Sequence, residues 1–156
     1  MAPINTGDFT EGDDRPNPVA CVIAFGFYDG AIDGALETRG GAAYRFDFLD
    51  DWPGVTGDSV RMFLLRPLPA GSVARLTELI SPHCEPRTPF WVPSWWHLDV
   101  EAKDSLDAAV DAVLDSAGPP RWAVAGWFLC GQTLRVRRAF GAGSDGAAWA
   151  ARFGWA

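Results

Sequence analysis

Four prolines, Pro82, Pro86, Pro89 and Pro93, fall close together and divide the chain into two parts that must fold around an irregular joint. Proline fixes φ and removes a backbone donor, so neither a helix nor an interior strand runs through such a segment. The same stretch, Pro82 to Asp99, carries Trp91, Trp95 and Trp96, three of the eight tryptophans, and both histidines, His83 and His97. It is too apolar for a solvated linker. It reads as an ordered loop whose rings are either core or a contact surface.

Ahead of the joint the pattern is that of strands. Val19 to Tyr28 is apolar on both alternating faces, as a central strand covered on two sides requires. Asp29-Gly30, Asp33-Gly34 and Gly40-Gly41 are turn signals flanking a short strand near Ala35 to Thr38. In AAYRFDFL, Tyr44, Phe46 and Phe48 share one face and Arg45 and Asp47 the other. A further strand, VRMFLLR, ends at Pro67, so the first 67 residues read as an antiparallel meander. Ser72 is the expected N-cap of a short helix in which Val73, Leu76, Leu79 and Ile80 recur at helical spacing.

After the joint, the spacing of Leu106, Ala109, Val110, Val113 and Leu114 predicts a helix from about Val100 to Ala117. Asp99 is its expected N-cap, and Gly118 its left-handed terminator before Pro119-Pro120. WAVAGWFLC and TLRVRRAF read as a hairpin with Leu134 and Val136 facing in and Arg135 and Arg137 out, and residues 147–153 as a last short helix. The expected fold is α+β: an antiparallel sheet of five or six strands, meander plus C-terminal hairpin, packed by two main helices. Residues 1–17 read as a flexible polar tail and 18–156 as a single domain, which suits 156 residues.

Charge is unevenly placed. Residues 1–60 hold eleven acids and three arginines (net −8), and residues 61–156 nine acids and ten bases (net +1), so the halves are expected to face and partly neutralise each other. The total of −7 argues against nucleic acid, whose binding energy comes mostly from phosphate neutralisation. Arg135, Arg137 and Arg138 near Trp122 and Trp127 are therefore read as a sheet face. Three widely spaced cysteines, with no basic, apolar leader and no apolar run of membrane length, lead to the expectation of a cytoplasmic protein without a membrane partner.

Several constellations could carry chemistry. His83-x-Glu85 and His97-x-Asp99 each place a nitrogen and an oxygen ligand on one face of an extended backbone, so His83, Glu85, His97 and Asp99 are the metal candidates, although no zinc spacing is matched. Cys84 could be a nucleophile with His97 as base. Its place beyond a helix C-terminus, however, disfavours a thiolate. Asp47, Asp50, Asp51 and Asp58 do not match a calcium loop, and no phosphate loop or nucleophile elbow is present, so no cofactor is expected.

Asp104, Asp107, Asp111 and Asp115 recur at spacings of three, four and four and stack along one helix face. Mutual repulsion and the helix dipole both work against that placement. The stripe is either a solvated face meeting the arginines of residues 133–140 or a surface for a basic partner. Trp91, Trp95 and Trp96, held by the prolines, would present rings with little entropy left to lose, with at least one of Trp95 and Trp96 expected to lid the core. The leading expectation is a non-enzymatic protein-binding module of adaptor, inhibitor or immunity type, using Trp91, Trp95, Trp96, Asp104, Asp107, Asp111 and Asp115 against a protein with a basic surface. The alternative is a small hydrolase or metal-dependent enzyme centred on residues 83–99, with His83, Cys84 and His97 as catalytic candidates. The oligomeric state is left open.

Overall fold

Period-two alternation in the first half of the chain becomes a sheet with two apolar faces. The computed structural model describes residues 9, 15–16, 18–28, 30–53, 59–85, 89–126 and 133–139. Strands β1 (Arg15–Pro16), β2 (Val19–Phe27), β3 (Ala31–Thr38), β4 (Ala43–Pro53), β5 (Ser59–Leu68), β6 (Phe90–Trp91), β7 (Trp122–Ala125) and β8 (Thr133–Ala139) join in the order β1-β8-β7-β5-β4-β3-β2-β6. Helices α1 (Ser72–Ile80) and α2 (Val100–Leu114) complete an α+β fold. From β2 to β5 the strands follow one another as the expected antiparallel meander.

The sheet is mixed rather than purely antiparallel. Six longer strands pair antiparallel, but β6 lies parallel to β2, with Val22 opposite Phe90 and Ile23 opposite Trp91. A hairpin would have reversed the chain. The return from α1 instead reaches the outer edge of β2 running the same way, and the Val22 N–H donates to Pro89 O at 2.8 Å. Pro89 and Pro93, which have no N–H to give, bracket the two paired residues and confine the strand to them. The proline-rich joint thus contains a strand where only a loop was expected. With β3 on one side and β6 on the other, β2 is an interior strand, and its alternating side chains enter both core clusters.

Side chains sort by face. Val22, Ala24, Tyr44, Phe46, Phe63, Leu65, Trp122 and Val124 share one core cluster. Phe9, inside the stretch read as a polar tail, is buried in that cluster, its ring 5.7 Å from Tyr44, and Arg15–Pro16 pairs with β8. The opposite face gathers Ile23, Ala35 and Leu68 against Val73, Leu76 and Ile80 of α1 and Leu106 and Val110 of α2. A nine-residue helix such as α1 is marginal alone. Leu76 and Ile80, fully buried, hold it with roughly 1.5–3 kcal/mol each.

Three local expectations are corrected. The N-cap of α1 is Gly71 at φ 85°, and Ser72 is the first helical residue, its Oγ donating to Pro69 O at 2.6 Å. Asp33-Gly34 is not a turn but part of β3, at a point where a Cβ on Gly34 would collide with Ile23 O on the adjacent strand. Gly118 does not close α2 in a left-handed conformation. The helix ends at Leu114 and unwinds through Ser116 N–H to Val113 O and Ala117 N–H to Leu114 O, after which Gly118 N–H docks on Pro67 O at 2.8 Å. Asp99 is the N-cap of α2, accepting from Ala102 N–H at 2.9 Å. β7 and β8 form the expected antiparallel pair. The inward and outward side chains of β8 and the helix at 147–153 lie outside the described residues.

Candidate functional site

Where the chain leaves β6 after Trp91 it diverges from β2, and the gap between residues 92–96, the sheet and α2 opens as a cleft of about 550 Å³. Three rings line one side. The Trp95 and Phe25 rings meet edge-to-face at 5.9 Å, while Trp96 stands 79% exposed. Asp107 and Asp111 of α2 form the opposite wall, and Asp33, Gly34 and Arg45 belong to the floor. The missing side chain at Gly34 both lets β2 and β3 approach and leaves the floor open.

The tie across the mouth is a hydrogen bond. Trp95 Nε1–H donates to Asp107 Oδ1 at 2.8 Å, and Asp107 also lies 4.0 Å from Lys103 Nζ. This bond fixes an otherwise irregular segment against α2. It also gives one member of the acidic stripe a structural role.

A second member, Asp115, is held by Arg45. The guanidinium reaches from β4 to the end of α2, where Nη1 lies 3.2 Å from Asp115 Oδ1 and 3.4 Å from Leu114 O, and Nε lies 3.2 Å from Asp47 Oδ2. A cation at a helix C-terminus offsets the negative end of the dipole, which removes the objection to Asp115. Burial pushes the Asp47 carboxyl above the usual carboxylate range, and the nearby Asp33 adds to this, while Arg45 and Arg66 act in the opposite direction without prevailing. The Arg45–Asp115 ion pair joins the acidic first sixty residues to the rest, and its basic member comes from the acidic part.

The predicted site residues therefore divide. Trp95, Trp96, Asp107 and Asp111 come together in the cleft. Trp91 does not: it is 4% exposed in β6 and packs with α1 and α2 in the core. Asp104 is exposed on α2 away from the cleft lining, and Asp115 is engaged beneath it. Sequence reasoning missed Phe25, Asp33 and Arg45. The Arg45/Asp47 alternation marks a polar face, but nothing local says that the end of α2 will lie over it.

The enzyme candidates separate as well. His83, Cys84 and Glu85 line a second, smaller depression of about 450 Å³ with Phe90 and Trp91. His97 is exposed against Trp96, ring centroids 6.3 Å apart, and Asp99 is committed to capping α2. The Cys84 Sγ–H donates to Ser94 O at 3.2 Å, and burial pushes the thiol above its ordinary value, opposite to the activation a nucleophile needs. Among the described residues no three His, Cys, Asp or Glu side chains are grouped to hold a metal ion.

The described lining of the cleft offers carboxylates, one lysine and one guanidinium already engaged, beside aromatic rings. Comparison of the chain with protein-family models, with curated proteins and with solved structures finds no match.

Proposed function

We propose that this chain is a non-enzymatic protein-binding module, of the adaptor, inhibitor or immunity type, whose contact surface is centred on the cleft between α2 and residues 92–96. The observation that carries the reading is the exposed Trp96 beside Asp107 and Asp111 on a segment fixed by the Trp95–Asp107 bond. A large ring on a segment whose backbone is already fixed has less entropy to lose on contact, and tryptophan carries much of the energy at interfaces. The partner is a protein with a basic face, because the chain carries −7 and its acids border the ring. The same charge disfavours nucleic acid. Three cysteines, odd in number and widely spaced in the sequence, suit a cytoplasmic setting, and none of the described helices is long and apolar enough to cross a membrane.

Parallel affinity capture from native lysate tests the reading, using the wild-type chain and a Trp96→Ala/Asp111→Asn variant. One protein retained by the wild type, eluted by moderate salt and lost from the variant is the expected result. Equal recovery by both chains, or nothing retained by either, overturns it.

A further inference from the structure

We infer that the cleft is a pocket for a single arginine side chain of the partner, stacked on Trp96 and paired with Asp111; this rests on the protein-binding reading above. The charges that line the cleft are not equivalent. Arg45 is committed to Asp47 and Asp115, and Lys103 pairs with Asp107, which also accepts from Trp95. Asp33 and Asp111 carry no ion pair among the described residues. The charge left over in the cleft is therefore negative, and the same cleft is lined by an exposed indole.

A ring face next to an unpaired carboxylate selects a planar cation. The guanidinium of arginine is more weakly hydrated than an ammonium, stacks on indole and offers two parallel N–H groups to a carboxylate. At about 550 Å³ the cleft has room for one long side chain together with the partner residues that flank it. Within the same chain the backbone of β8 lies well away from the cleft. Four strand spacings, about 19 Å, separate β8 from β3. A second copy of the chain would bring another −7 and be repelled.

The probe is a capped glycine/serine heptapeptide with a central arginine, compared with its lysine and citrulline versions. Binding is followed by the indole and backbone N–H signals of the isotope-labelled protein. The arginine peptide is expected to shift the Trp96 indole saturably, the lysine peptide less, and the citrulline peptide not at all. Trp96→Ala, read from the backbone signals of residues 107–111, should weaken binding about tenfold, and Asp111→Asn about fivefold. Both side chains are exposed, and an unshifted Trp122 indole, hydrogen-bonded to Tyr44 in the far cluster, certifies that each variant is folded. Citrulline binding as well as arginine, or Asp111→Asn binding as well as wild type, overturns the pocket. A concentration-dependent dimer abolished by Trp96→Ala overturns it in favour of a second copy. Partner capture that persists without arginine binding removes the pocket and leaves the protein-binding reading intact. Arginine binding without any captured partner supports the pocket and removes the partner.

Discussion

Cutting the bond between Trp95 and Asp107 should loosen the joint without emptying the core, and a double-mutant cycle isolates that effect. Trp95→Phe keeps a ring against Phe25 but removes the indole N–H; Asp107→Ala removes the acceptor. A hydrogen bond to a charged group contributes about 1.5–3 kcal/mol net where both partners are buried. Asp107 is 42% exposed, so solvent screening reduces this to roughly 1 kcal/mol. Trp95→Phe adds the loss of part of the indole area, for a total of about 2 kcal/mol, and Asp107→Ala alone costs roughly 1 kcal/mol. The double variant should therefore be only about 2 kcal/mol less stable than wild type rather than 3, a coupling of about 1 kcal/mol. Urea unfolding resolves this: with a slope of about 2 kcal/mol per molar, the coupling appears as a midpoint discrepancy of about 0.5 M. Additivity within roughly 0.3 kcal/mol would show that the 2.8 Å contact does not tie the loop to α2.

Two further outcomes follow from the floor of the cleft. Gly34→Ala places a methyl group against the Ile23 carbonyl and should destabilise by more than about 2 kcal/mol or prevent folding, whereas Gly41→Ala, in open space at φ 90°, should cost only about 1 kcal/mol; equal urea midpoints for the two would refute the close approach of β2 and β3. Asp47 has a folded-state pKa above its unfolded value, so in the window between the two the folded chain binds more protons and stability falls as pH rises. Asp47→Asn removes that dependence, and its stability relative to wild type should be more favourable at pH 7 than at pH 4; the opposite trend in urea unfolding would mean that Arg45 outweighs burial.

The meander, both helices and the Asp99 cap could be read from local pattern, because alternation, helical spacing and capping chemistry act over a few residues. What could not be read depends on distant chain. The parallel pairing of Phe90–Trp91 with Val22–Ile23 is set by where α1 delivers the joint, which no turn residue encodes. Ser72 failed as a cap because Gly71 reaches the left-handed conformation without cost and leaves the serine inside the first turn. In the site, the acids at 107 and 111 and the rings at 95 and 96 were visible as separate signals, and the fold joined them. Trp91 was drawn away by the strand it belongs to. Arg45 and Asp47 looked like a solvent face, since alternation reports which residues share a side of the sheet and not what comes to lie above it.

Arg45 and Asp115 are 70 positions apart in the chain, and the cleft above them draws its walls from β2, β3, the joint and α2. No fragment of the protein can present this surface. The cleft exists only once the meander is complete and α2 has settled on it, so whatever closes on it discriminates the finished molecule from every partly folded form. Occupancy then stabilises the whole fold through mass action, by about 2.7 kcal/mol at a hundredfold excess over the dissociation constant. The cleft is in this sense a product of the completed fold.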